Sequence, residues 1–173
     1  NTAGKAILSM LDAIDEKHGF KVHIEKGIPP GSGLGSSAAS AVAALVGVNE
    51  LLGKPLKQDE LLVHGMAGEA VVSGGFHADN IAPALFGGII LIRSYEPLDI
   101  LHLPVPKNLF STAVLPDFEV NTRDARRMLP ERVPLKSAVE QAGNLAGFTL
   151  GLHESDFDLL GRSMVDLFAD PIR

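Results

Sequence analysis

Cysteine is absent from the 173 residues, which excludes a disulfide scaffold, a thiolate zinc site and a cysteine nucleophile together. A chain without disulfides fits the cytoplasm, where thiols stay reduced. Long hydrophobic runs are missing too. The longest, over 38–48, is rich in alanine and broken by Gly47, well short of the roughly 20 residues that cross a bilayer. A surplus of positive charge is also lacking: 15 Lys and Arg face 21 Asp and Glu, a net charge of −6. That sign argues against a general nucleic-acid binder. Low-complexity tracts and internal repeats are absent, and 46% hydrophobic with 21% charged residues are ordinary globular values, so disordered and fibrous classes drop out. What the chain holds in excess is glycine and proline, 18 and 11 residues, about a sixth of the total against an average near 12%. With no linker tract to absorb them, they must punctuate turns.

The length has room for one domain, or one and part of a second. The first residue is Asn1 rather than methionine, so a preceding start with a targeting peptide stays open. Hydrophobic spacing predicts a helix over 3–14, with Thr2 as its N-cap, and alternation around Val22 and Ile24 predicts a strand over 21–26. Helices are expected over 38–52 and 57–72. Strands are expected over 87–93, 100–105 and 110–115, with a boundary or hairpin connection at 104–108. Further helices are expected over 122–129, 135–152 and 156–168. Strands and helices are grouped rather than strictly alternating, which makes the class α+β rather than doubly wound.

The segment between the first strand and the second helix carries the chemistry. It reads Pro29-Pro30-Gly31-Ser32-Gly33-Leu34-Gly35-Ser36-Ser37-Ala38-Ala39-Ser40. A flexible linker has no reason to be wedged before a sharply starting helix, or to hold Leu34 at its middle. A phosphate cradle does. Glycines 31, 33 and 35 can take φ > 0 and let backbone approach a ligand. The helix start offers N–H groups and the positive end of its dipole, and Ser36 and Ser37 supply a cap and hydroxyls. Neither Walker A, which needs a lysine after the last glycine, nor GxGxxG fits the spacing.

Three other groups stand out. His77 and Asp79, in His77-Ala78-Asp79-Asn80, could be metal ligands, a catalytic pair or turn caps; spacing alone favours capping. Glu69 shares a helical stripe with Leu62 and Met66, where an edge carboxylate reaching into water is the simplest reading. Asn121-Thr122-Arg123-Asp124-Ala125-Arg126-Arg127 is a tight basic cluster. It reads by default as a capped, exposed helix turn, although arginine also suits bidentate carboxylate recognition.

The loop from Pro29 through Ala39 closely resembles the ATP loop of the GHMP kinases, Pro-x-x-x-Gly-Leu-Gly-Ser-Ser-Ala-Ala. Within that family the homoserine kinases are most similar. They share the pattern Ser-Gly-x-x-His-Ala-Asp-Asn-x-Ala-Pro-Ala, matched from Ser73 to Ala84, with Gly87 and Gly88 behind it. The resemblance implies a two-domain α+β fold: a ribosomal protein S5 domain 2-like, ATP-binding part over 1–96 and a ferredoxin-like part over 97–173. Both would be incomplete, because a Pro-x-x-x-Asn-Leu-Gly-Pro-Gly-Phe-Asp segment should precede Asn1 and a Ser-Gly-x-Gly-Pro loop should follow Arg173. It implies ATP held by residues 30–40, with Lys26 and Asn1 on the adenine side, and Mg²⁺ held by Ser37 and Glu69. It implies homoserine bound by Glu69, His77, Asp79, Asn80, Thr122, Arg126 and Arg173. Asn80 sits where mevalonate kinase and other relatives carry a catalytic aspartate, so no side-chain base is expected. The implied reaction is phosphorylation of the homoserine hydroxyl in threonine biosynthesis, by a cytoplasmic enzyme (plastidic in a plant), with a homodimer possible and neither nucleic acid nor membrane as partner. Another GHMP kinase is disfavoured by the His77–Asn80 island and Arg126. A non-catalytic sensor on the same fold is disfavoured by the intact Ser37, Glu69 and Asn80. The isolated 173 residues are expected to have little or no kinase activity.

Overall fold

Helix α1, Thr2–Ala13, is capped by Asn1, whose side chain accepts the Gly4 amide at 2.7 Å. The cap therefore falls one residue before the Thr2 expected from sequence. Asn is as good an N-cap as Thr, and the Thr2 hydroxyl is engaged elsewhere. The face carrying Ala3, Ala6, Ile7, Met10 and Leu11 is buried. It packs on α2, Ser36–Leu51, and α3, Leu61–Ser73. Small residues set how closely these helices approach. A Cβ on Gly65 would lie 2.6 Å from Ile81 Cγ2, and one on Gly68 would lie 2.7 Å from Thr2 O. The core they close includes the fully buried Met10, Leu45, Leu61 and Ile81. The computed structural model describes residues 1–73, 75–114 and 128–169.

The short helix α4, Ile81–Phe86, was not foreseen, because Pro83 lies inside it. Proline is tolerated there since a first-turn N–H has no intrahelical partner to lose. Gln58 Nε2 donates to Leu85 O at 2.5 Å and ties the turn before α3 to the end of α4. These four helices belong to a first compact unit, Asn1–Gly87.

The second unit starts at Gly88. Strands β1, Ile89–Tyr95, and β2, Leu98–Leu103, pair antiparallel with Ile89 opposite Leu103 and Tyr95 opposite Leu98. Arg93 and Asp99 form a cross-strand ion pair beside an irregularity between Ile92 and Ser94. The hairpin turn is thus at Glu96-Pro97, not at 104–108. Helix α5, Leu135–Glu154, packs on α6, Phe157–Ser163, which Asp156 caps by accepting the Leu159 amide at 2.9 Å. Glycines again permit contact: a Cβ on Gly147 would meet Ser163 Oγ at 2.5 Å.

Two expected strands are not formed. Residues 21–26 and 110–114 have no ladder among the described residues, and Val22, Ile24, Phe110 and Val114 are exposed. Alternation can announce a strand, but a strand exists only where a neighbour takes its N–H and C=O groups. α6 stops at Ser163 rather than 168, because Asp166 Oδ1 accepts the amides of Phe168 and Ala169 in a turn. The helix expected over 122–129 lies outside the described residues apart from 128 and 129. Among the described residues, no helix is long and apolar enough to cross a membrane.

Candidate active site

The loop before α2 takes the form its glycines allow. Gly31, Gly33 and Gly35 stand at φ 76°, 74° and 70°, left-handed values that cost a residue with a Cβ of order 1–3 kcal/mol. Gly35 is itself the N-cap of α2 and offers no side-chain bond to the helix start. The expectation that Ser36 or Ser37 caps α2 is therefore wrong by one or two positions: both are already helical. Ser36 Oγ donates to Ile28 O at 2.7 Å and pins the base of the loop. Ser36 thus has its backbone N–H, not its hydroxyl, to offer an anion. Lys26 Nζ donates to both Ser36 O and Ser36 Oγ at 3.2 Å, bringing positive charge to the same corner. Ser32 Oγ accepts the Leu34 amide at 3.3 Å, and Leu34 stands exposed at the loop tip. Ala38 is fully buried behind the first turn, and Ser40 Oγ donates to Ser36 O at 3.0 Å.

Ser37, in the first turn of α2, turns its hydroxyl inward. It donates to Glu69 Oε1 on α3 at 2.9 Å. Glu69 is 9% exposed, so the carboxylate does not reach into water as the plain reading of its stripe had it. Leu62 and Met66 on that stripe are buried as well. A buried carboxylate is retained where it is paired and hydrogen-bonded. Hydroxyl and carboxylate oxygens are hard donors that suit Mg²⁺, which keeps few protein ligands and takes the rest from phosphates and water. No group of three His, Asp or Glu side chains that could hold a metal ion occurs among the described residues.

The polar island comes to the loop from the other side. Asn80 precedes α4, and a Cβ on Gly35 would lie 3.2 Å from Asn80 Oδ1. Asp79, exposed beside it, accepts the Asn80 amide at 3.1 Å. The His77 ring folds back over Gly75, where a Cβ would come 2.8 Å from its Nε2. A cavity of about 540 Å³ opens between the loop and α4, lined by Leu34, Gly35, Val42, Asn80 and Pro83 among others. A second groove, about 530 Å³, lies between residues 20–28 and α2, with Lys26 and Ser40 on its wall. Asn1, expected on the adenine side, spends its side-chain oxygen on capping α1. Thr122, Arg126 and Arg173 lie outside the described residues. Sequence reasoning missed the bond from the Thr2 hydroxyl to Ser37 O and the close approach of α1 to α3 at Gly68. The available signal was a glycine inside a helix, a position that costs about 1 kcal/mol against alanine unless packing requires it.

A glycine cradle at a helix start, a Ser–Glu oxygen pair beneath it and an amide side chain at its edge are thus brought together at the start of α2. The model of the GHMP kinases N terminal domain matches residues 1–88, and the chain belongs to this family. Its α+β arrangement of helices with a small sheet agrees with that membership. The curated relatives it matches include homoserine kinases. That of Chlorobium phaeobacteroides is 48% identical, with all of this chain and 56% of the relative covered. Those of Chlorobaculum tepidum and Methanococcus vannielii are 46% and 44% identical, covering the whole chain and 55% and 57% of the relatives. The crystal structure of homoserine kinase from Cytophaga hutchinsonii superimposes with a TM-score of 0.96 at 46% identity, over 100% of this chain and 55% of that one. The chain thus spans a little over half the length of the relatives it matches.

Proposed function

We propose that these residues serve an ATP-dependent kinase that phosphorylates the hydroxyl of L-homoserine, giving the O-phospho product used in threonine biosynthesis. The Ser37–Glu69 bond of 2.9 Å beneath the glycine cradle carries the reading. Homoserine as acceptor is supported by the likeness to homoserine kinases over the full chain. The backbone of residues 30–40 would bind the phosphates of ATP, with Asn1 and Lys26 towards the adenine. Ser37 and Glu69 would hold Mg²⁺, which when bound neutralises charge on the phosphate oxygens. His77, Asp79 and Glu69 would orient the amino-acid end, and Thr122, Arg126 and Arg173 its carboxylate.

Asn80 lacks a carboxylate and cannot take the hydroxyl proton. It would orient that hydroxyl towards the γ-phosphate, the proton leaving late to phosphate oxygen. Catalysis then rests on positioning, which can supply roughly 7–11 kcal/mol of a barrier. A cytoplasmic location and a homodimer belong to the same proposal. The test is a coupled ADP-release assay on a polypeptide of the relatives' full length containing these residues, offered homoserine, mevalonate or galactose. Turnover confined to homoserine is expected. Turnover of another alcohol in its place would move the assignment within the family, and tight ATP binding without turnover would make the protein a sensor. Arg126→Ala should raise KM for homoserine at least about tenfold with ATP affinity nearly unchanged; equal losses for both would remove the carboxylate role.

A further inference from the structure

The first turn of α1 stands directly behind the Ser37–Glu69 pair. Thr2 is 7% exposed and its hydroxyl donates to the backbone carbonyl of Ser37 at 3.3 Å. A helical carbonyl has a second lone pair for such a bond. On its other side Thr2 meets α3 at Gly68: a Cβ there would lie 2.7 Å from Thr2 O and 2.9 Å from Ala6 Cβ. Glycine at the position before Glu69 is what lets α1 come so close. One residue of α1 therefore touches both helices that carry the pair, α2 at Ser37 and α3 beside Glu69.

We infer that Thr2 is a positioning residue for the Ser37–Glu69 pair, its hydroxyl holding the Ser37 peptide so that both oxygens face the same metal-bound nucleotide, with Gly68 setting the approach of α1. The inference rests on the assignment of Ser37 and Glu69 to Mg²⁺ made above. Outer-shell partners of this kind change metal affinity by about 10–100-fold when removed. A merely structural Thr2, satisfying its own buried hydroxyl, would instead change stability and ligand affinity together.

The experiment is calorimetric titration of the same full-length polypeptide with ADP, with and without Mg²⁺, accompanied by thermal melting. Thr2→Val keeps the shape and removes the donor; Thr2→Ser keeps the donor. Thr2→Val should bind metal-free ADP within about twofold of the unaltered protein yet lose about tenfold of the Mg²⁺-dependent gain. Thr2→Ser should restore that gain, and Gly68→Ala, with Thr2 intact, should lose it. If Thr2→Val keeps the gain within about twofold, or loses metal-free and metal-loaded affinity in equal measure with its Tm, the inference is overturned. Ser37→Ala and Glu69→Gln separate the two claims. If they lose the gain while Thr2→Val keeps it, Thr2 alone is wrongly assigned. If neither loses it, the metal assignment fails and the role of Thr2 fails with it.

Discussion

At Gly35 the backbone stands at φ 70° while Asn80 Oδ1 would lie 3.2 Å from any Cβ added there. Gly35→Ala therefore meets both left-handed strain and a neighbour, and should cost about 1–3 kcal/mol. It should weaken ATP binding more than the same change at Gly33, where no atom lies within 4 Å of the added Cβ; calorimetry on both variants checks the order. Asn80 itself yields a sharper expectation. If it orients the hydroxyl as proposed, without a carboxylate to take the proton, Asn80→Ala should lower kcat far less than the roughly 10⁴-fold of a lost general base. A larger loss would overturn the purely orienting role proposed for this side chain. Away from the site, His64 on α3 lies within 2.9 Å of Ser9 Oγ on α1 and is buried. Burial pushes its imidazole below the ordinary 6.5. The unfolded chain then binds the proton first as pH falls below 6.5, so the stability tied to the neutral ring is full above 6.5 and lost towards the lowered folded value. As pH falls below 6.5, the melting temperature should drop more steeply in the unaltered chain than in His64→Gln; parallel curves would remove His64 from the pH response.

The helices were legible because their own residues specify them: alanine-rich runs, apolar spacing and glycine at the ends make α1, α2, α3 and α5 visible to within a few residues. What could not be read was anything decided by a partner. The alternation of Val22 and Ile24 announces a strand, yet residues 21–26 join no ladder among the described residues. Glu69 looked like an edge carboxylate because a single helix cannot show Ser37 arriving from another. The connection between α2 and α3 makes the same point. Buried Asn49 donates from Nδ2 to Leu56 O at 2.9 Å and accepts the Leu56 amide on Oδ1 at 3.1 Å. No sequence pattern marks this clamp, which fixes where the chain turns back towards α3. Asn49→Ala should cost about 1–3 kcal/mol, since it strands both backbone groups of Leu56. A urea midpoint unchanged within error would show that water replaces the amide.

On the scale of the whole molecule, the glycine loop and the polar island announce the family because each is contiguous in sequence, while the substrate side as proposed draws on residues far apart along the chain. The same distinction bears on what 173 residues can do alone. They span about 56% of the length of their relatives, and residues 20–28 line an open groove against α2 in which Val22 and Ile24 remain exposed. Lys26 sits in that segment and reaches Ser36 through bonds of 3.2 Å, so the corner of the phosphate loop is only as fixed as this unpaired stretch. Phosphoryl transfer is intolerant of such slack, since a displacement of about 1 Å can cost around 10²-fold in rate. The isolated piece, assayed with ATP, Mg²⁺ and homoserine, should therefore turn over at least about 10²-fold more slowly than the full-length polypeptide, even where its helices melt cooperatively. Equal rates would show that residues 20–28 need no partner to hold Lys26 and the loop.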